Sequence, residues 1–259
     1  MKMFIYKFRS EWLKTRRSAA SWLVIAGGIF IPLIFLIIQI FKPQSLSTLA
    51  LGDKYWDAIL VQAWESTGPL LLPFGVILAT SLIAQLEFKS NAWKQVCVTP
   101  QSMPSIFGMK LLVILVMLLQ FFLIFNLGLI TEPYLAAWLN SDLPYPPASI
   151  PWMKYLKTSL LFYLSSLPVV ALQYWISLRF GNFLISIGSG LAMVILSLFL
   201  IRWEFGYFIP YTHNFYQFFE LSGHSILAKD VELNVFSMLF FIVIAGLSLL
   251  NFTFRNQRG

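Results

Sequence analysis

The sequence predicts an all-α integral membrane protein with six transmembrane helices, and three observations carry this prediction. Six apolar runs of about twenty residues divide the chain, and each is long enough to cross a hydrocarbon core of about 30 Å. Hydrophobic residues make up 58% of the 259 residues and charged residues only 11%, too few charges for the surface of a soluble domain. Lys and Arg collect on alternate sides of the runs. Because backbone polar groups must be satisfied inside lipid, the runs are predicted to be helices.

The whole chain is predicted to form one membrane domain over residues 1–259, with the first run as an uncleaved signal anchor. The segments between the runs reach at most about 30 residues, too short for a soluble domain of ordinary size. Cys97 is the only cysteine, which excludes an intramolecular disulfide and a cysteine cluster for a metal. The spans are predicted at about 21–41, 68–86, 111–130, 158–177, 183–201 and 235–254.

Orientation follows from counting Lys and Arg on the two sides of the predicted spans. Twelve lie on the side of the N-terminal segment, the second and fourth loops and the C-terminal tail, and six lie on the other side. Basic residues favour the cytoplasmic side of a membrane. We therefore predict that both termini are cytoplasmic.

An amphipathic helix is predicted before the first span, over residues 1–18. Phe4, Phe8 and Trp12 recur at helical spacing on one face, while Glu11 and Lys14 point elsewhere. Such a helix lies in the membrane interface. One interpretation is a basic anchor that fixes topology against anionic lipid; the aromatic stripe and the embedded Glu11 favour a helix that also packs on protein.

The loops differ in kind. The second loop, 87–110, is predicted to form a helix that breaks at Pro100 and Pro104 before the third span begins. Five prolines in the outer segment 131–152 predict a turn-rich cap with little regular structure. The aromatic outer segment 203–234 is predicted to be re-entrant or to form a short helix.

Groups that could carry catalysis or bind a metal are scarce. Glu65 and Arg202 lie at the outer edges of their predicted spans, where they can reach the headgroups. His213 and His224 are the only histidines, and without a metal-ligand spacing we interpret both as interfacial. The chain has no Gly-Lys pair and hence no P-loop. We predict a protein that is not an enzyme, with no catalytic residues, no metal site and no bound cofactor.

Polar residues inside the spans are predicted to form interhelical hydrogen bonds more often than to line a pathway. The fifth span has two small-xxx-small pairs, Ser186 with Gly190 and Gly188 with Ala192. Such pairs let helices approach closely, and both packing within the chain and dimerisation explain them. The polar residues of the spans are Gln39, Gln120, Asn126, Gln173 and Asn251.

Two stretches resemble ABC-2 type permeases, particularly the six-helix subunits grouped with lantibiotic immunity and antibiotic export. The first is residues 8–18, which lead directly into the first span. The second is residues 87–112, after the second span. It has an acidic residue beside an aromatic one, a polar turn, Trp93-Lys94, Pro100 and a Lys-Leu-Leu entry into the third span that begins at Lys110. A Pro-aromatic step at Pro210 is a third similarity. Cys97 and the many prolines of the outer loop depart from the family pattern.

The resemblance implies a multi-pass permease subunit in the plasma membrane of a prokaryote, with no nucleic-acid partner. Its partners would be a second permease, either a copy or a sister subunit, and cytosolic ABC ATPase subunits that bind ATP and Mg. Residues 87–99 would then form the coupling helix that docks on the ATPase, with Trp93 as its apolar anchor. The alternative for this segment is an ordinary solvated loop. The implied coupling residues are Glu87, Lys89, Trp93, Lys94 and Pro100.

The leading functional hypothesis is the permease of an exporter that moves a hydrophobic or amphipathic compound, such as a peptide antibiotic, out of the membrane. The scarcity of charge in the spans favours it, because a pathway for ions or small polar solutes needs polar lining. The runner-up is a non-transporting assembly or sensory factor that docks a cytosolic partner. An intramembrane enzyme comes third.

Overall fold

Helices account for almost all of the regular structure. The computed structural model describes residues 2–41, 54–88, 102–141, 143–224, 226 and 232–256. No strand occurs in these ranges, and the predicted all-α class is confirmed. The α-helices are α1 Lys2–Thr15, α2 Ala19–Phe41, α3 Tyr55–Ser66, α4 Leu72–Phe88, α5 Met103–Leu139, α6 Trp152–Phe180, α7 Phe183–Leu200, α8 His213–Leu221 and α9 Leu233–Asn256.

Six helices in the described ranges are long and apolar enough to cross a membrane, which confirms the predicted number of spans. They are 18 to 37 residues long, and each predicted run lies within one of them except for Ile201 at the end of the fifth. The six are Ala19–Phe41, Tyr55–Leu86, Met103–Leu139, Trp152–Phe180, Phe183–Leu200 and Leu233–Phe254.

The second span begins thirteen residues earlier than predicted, because charged residues hide an apolar face. Asp57 and Glu65 lower the local hydropathy, yet α3 turns Ile59 and Trp64 into the core. A π-helical segment, Thr67–Leu71, then joins α3 to α4. Pro69 lies in this wider turn, which accommodates a residue without an N–H.

The third span departs from the prediction at its C-terminal end. Pro104 lies in the first turn of α5, where a proline costs little. Pro100 and the predicted helix before it lie mostly outside the described residues, so the predicted break stays a prediction. The turn-rich cap, however, does not begin at Thr131. The helix continues through Pro133 to Leu139, and irregular backbone starts at Asn140. Pro133 is buried against neighbouring helices, a setting in which membrane helices tolerate proline.

Helices α6 and α7 form a tight hairpin. Gly181 ends α6 in the left-handed region, with φ of 62°, a conformation that favours glycine. The side chain of Asn182 then accepts a hydrogen bond from the backbone N–H of Leu184, 2.9 Å away, and caps α7. This places the fourth and fifth spans side by side.

The core lies between α2, α4, α5 and α6, with α9 packed on α6 and α7 on α4. At its centre the rings of Trp64 and Phe162 stack with centroids 3.9 Å apart. Gly68 makes this approach possible, since a Cβ there would lie 2.5 Å from the Phe162 ring. The fit of α3 and the π segment against α6 therefore depends on a residue without a side chain.

The segment after α7 forms two short 3₁₀ turns, Gly206–Phe208 and Pro210–Thr212, followed by α8, which confirms the predicted short helix. The interfacial interpretation of His213 is wrong. This residue is fully buried, and its ring nitrogens lie 2.7 Å from the Ser237 hydroxyl and 2.8 Å from the Tyr207 carbonyl oxygen. Burial lowers its pKa to about 4, so the ring is neutral at neutral pH and ties this segment to α9.

Candidate functional site

The N-terminal helix packs against the start of the third span. The rings of Phe8 and Trp12 stack with centroids 6.0 Å apart and pack partly buried against the core, whereas Phe4 remains 54% exposed. The predicted amphipathic helix is confirmed, and it packs on protein as well as carrying an exposed aromatic residue. A basic anchor that fixes topology alone would not need this contact.

Polar side chains join α1 to α5 at two points. The Lys7 ammonium donates a hydrogen bond to the hydroxyl of Ser105, 3.0 Å away. Glu11 accepts from Lys110 on α5, with 2.8 Å between Oε2 and Nζ, and its other carboxylate oxygen pairs with Lys14. We call this set of five residues the N-terminal latch: Lys7, Glu11, Lys14, Ser105 and Lys110.

Burial makes the ion pair of the latch costly to break. The side chain of Lys110 is only 5% exposed and that of Glu11 only 15%. Burial alone raises the pKa of the Glu11 carboxyl, but Lys110 and then Lys14 outweigh it, so the net pKa lies below its ordinary value. A lowered carboxylate pKa stabilises the folded state above the ordinary pKa of 4.5, and this stabilisation is lost as the pH falls below it.

A short turn joins the latch to the first span. The buried Thr15 hydroxyl donates to the Trp12 carbonyl oxygen at 3.0 Å, and Ser18 donates to the Thr15 carbonyl oxygen at 2.7 Å. The backbone N–H of Ser21 then donates to the Ser18 carbonyl oxygen at 3.1 Å. Any movement of α1 therefore reaches α2 directly through this turn.

The coupling residues that the resemblance implied fall mostly outside the described residues. Glu87 lies in the last turn of α4. Lys89, Trp93, Lys94 and Pro100 lie in residues 89–101, which the structure does not describe, so their role stays a prediction.

A second polar cluster lies in the membrane core and joins three spans. The Ser186 hydroxyl of α7 lies 2.8 Å from that of Ser81 on α4 and 2.6 Å from that of Ser177 on α6. Gln173 donates to the Ser186 carbonyl oxygen at 2.6 Å and accepts from the Tyr211 hydroxyl at 2.9 Å. All five side chains are buried, so the cluster fixes the packing of α4, α6 and α7.

The small residues of the fifth span separate onto two faces. Ser186 and Gly190 are buried within the chain, which supports intrachain packing for that pair. Gly188 and Ala192 are exposed, and a Cβ at Gly188 would meet no atom within 4 Å. For Asn126 the predicted interhelical bond is confirmed, since its amide donates to Ser159 at 2.7 Å.

Sequence reasoning missed two buried charged groups. The sequence pattern does not pair Lys110 with Glu11, although a lysine at the edge of an apolar run, with a carboxylate in the helix before the first span, is the signal that could have found the pair. Glu132 is 2% exposed within α5, and neither carboxylate oxygen has a hydrogen-bond partner among the described residues.

The sequence of the chain matches a known protein family. Residues 8–200 match the family described as ABC-2 family transporter protein, a stretch that begins in α1, includes every residue of the latch except Lys7 and ends with α7. No curated protein and no solved structure matched the chain. With six helices able to span a membrane, the chain is a multi-pass membrane protein that belongs to the ABC-2 transporter family.

Proposed function

We propose that this chain is the permease subunit of an ABC exporter, driven by a separate ATPase. Membership of the ABC-2 family implies association with an ABC ATPase. The further steps, that the chain binds no nucleotide itself and that it pairs with a second permease, are part of the proposal. So are its place in the plasma membrane of a prokaryote and the cytoplasmic side of the latch.

The N-terminal latch is the observation that carries the proposal. Residues 89–101 connect α4 to α5, and α5 begins two residues after them. Ser105 and Lys110, the α5 side of the latch, therefore lie within the first eight residues of that helix. A partner that moves the connection moves the start of α5, and α1 follows because the latch holds it. One displacement thus reaches three of the six spans.

The described spans support a proposal for the substrate class. Lys110 and Glu132 are the charged side chains buried in these helices, and Lys110 is paired in the latch. A pathway for ions or small polar solutes needs more polar lining than this. We therefore propose a hydrophobic or amphipathic compound as the exported substrate.

Trp93→Ala tests the docking of the ATPase. An aromatic anchor at a hot spot is worth about 2 kcal/mol or more, roughly thirtyfold in affinity. The partner ABC ATPase, co-expressed with the permease, should bind the variant about thirtyfold more weakly in a pull-down titration, while membrane insertion stays normal. Trp138→Ala is the matched control, because Trp138 is 74% exposed at the opposite end of α5. Equal ATPase affinity for both variants would contradict the proposed coupling segment.

The single cysteine tests the orientation. The excess of twelve against six Lys and Arg supports a cytoplasmic Cys97, and a membrane-impermeant maleimide should then not label it in intact cells. Cys97→Ser with Trp203→Cys is the control. Trp203 follows the C-terminal end of α7, on the predicted outer side, and is 53% exposed, so it should be labelled. The opposite labelling pattern would invert the topology and place the latch outside.

A further inference from the structure

An apolar groove runs along the first span, between α2, α4 and α5. Its volume is about 600 Å³, within the usual range of small-molecule sites. Met117 and Val170 form part of its floor and are at most 1% exposed. Trp22, Phe30 and Leu71 form part of its rim, and they are exposed at the surface of the helix bundle. The groove is therefore open to lipid along its side.

Two glycines keep the groove open. A Cβ at Gly75 would meet no atom within 4 Å, and one at Gly27 would meet only the Phe121 ring, at an ordinary contact distance of 3.6 Å. Both glycines line the groove. The space beside them is large enough to take added side-chain atoms without a clash, so a variant can fill the groove and leave the helices in place.

The residues that line the groove favour a hydrocarbon ligand. Every residue that lines the groove is apolar or glycine. Most small-molecule sites add a few well-placed hydrogen-bonding groups that orient the ligand, and the walls of this groove provide almost none. A ligand held here needs a long apolar part that makes no hydrogen bonds.

The length of the groove and the charged residues at one of its ends indicate which hydrocarbon ligand fits. It extends along α2 from Ala19 to Phe30, which at ~1.5 Å per residue is about 16 Å, or half of a hydrocarbon core of about 30 Å. That is the depth of one leaflet. Arg16 and Arg17 directly precede the Ala19 end, both are exposed, and no described carboxylate forms an ion pair with either. Two such guanidinium groups favour an anionic phosphate.

We propose that this groove holds an acyl chain of an anionic phospholipid whose phosphate is bound by Arg16 and Arg17. The lipid comes from the leaflet in which the N-terminal latch lies. Because the two arginines lie between α1 and α2, its headgroup binds at the turn that connects the latch to the first span. The proposal does not depend on transport, since the lipid is a bound component of the permease.

Photocrosslinking tests the proposal on the full chain in vesicles. The probe is phosphatidylglycerol with a diazirine on one acyl chain, compared with phosphatidylcholine that carries the same chain. We expect phosphatidylglycerol adducts on the α5 peptide that contains Met117 and Phe121. Neutralising both arginines, as Arg16→Gln with Arg17→Gln, should lower that yield about thirtyfold at low ionic strength, or about fivefold per basic side chain.

Filling the groove gives the second arm of the test. Gly75→Leu should abolish adducts on the α5 peptide for both lipids, while Gly188→Leu, on an exposed face of α7 with no atom within 4 Å of the new Cβ, should leave them unchanged. Equal adduct yields for the two lipids in the wild type would overturn the assignment of the headgroup. Wild-type adducts in Gly75→Leu, or none on this peptide in the wild type, would overturn the groove as the site.

Discussion

Glu11→Lys should detach α1 from the third span at a cost of about 3–5 kcal/mol, the usual result of removing one partner from a buried ion pair. The substitution removes the Glu11 carboxylate from the ammonium of Lys110, which is only 5% exposed, and puts a third ammonium beside it and Lys14. Detachment exposes Thr15, which is 4% exposed in the folded protein. In a Cys97→Ser, Thr15→Cys background, the new thiol should therefore react much faster with maleimide when Glu11→Lys is added.

The charge swap makes this result specific to the ion pair. Glu11→Lys combined with Lys110→Glu rebuilds the pair with its charges exchanged and should restore slow labelling, apart from a small repulsion from Lys14. The control is Asp57→Lys, which breaks the exposed pair between Asp57 and Lys154 and should cost about 1 kcal/mol or less. Unchanged labelling in Glu11→Lys, or no rescue by the swap, would contradict the latch.

Gly190→Leu should destabilise the membrane core much more than Gly188→Leu. A Cβ at this position lies 2.8 Å from Ile77 and 2.9 Å from the Gln173 amide oxygen. Ile77 is β-branched and stiff, so Gln173 must move and give up its bonds to Ser186 and Tyr211. Overpacking costs about 1–3 kcal/mol, and each buried group left without its bond costs about as much again.

Gly188→Leu is the matched control for this change, because it lies two residues away on the same helix and its Cβ meets nothing. Thermal unfolding in detergent should show a drop of several degrees or more for Gly190→Leu and little change for Gly188→Leu. Size-exclusion chromatography of Gly188→Leu also tests the second interpretation of the small-residue pairs. A loss of dimer there would assign the exposed face to a second copy. Equal melting of the two variants would contradict the packing described for Gly190.

The six spans were predictable because hydropathy integrates over a whole helix and tolerates single exceptions. The predicted lengths of the second and third spans were wrong because the burial of one helix face differed from the average hydropathy of the segment. Asp57 and Glu65 mask the apolar face of α3, and Pro133 suggested an end where burial keeps the helix intact. Hydropathy reports composition along the chain, while these boundaries depend on what each face touches.

The candidate site was predictable only in part. The amphipathic pattern of Phe8 and Trp12 located α1. Helical periodicity does not show which basic residue Glu11 meets, because Lys110 lies 99 residues away. The interhelical role of Gln173 was expected from chemistry, since a polar side chain in lipid needs a partner. Its actual partners, Ser186 and Tyr211, depend on how the spans pack.

In our proposal, the N-terminal latch transmits the movement of an ATPase to the spans. The most direct measurement is ATP-driven transport per ATP hydrolysed, in vesicles that hold the permease with its co-expressed ATPase. We expect Glu11→Lys to lower this ratio strongly while ATPase binding persists, and the exchange with Lys110→Glu to restore it. A wild-type ratio in Glu11→Lys, with α1 shown to be detached by labelling at position 15, would contradict the account.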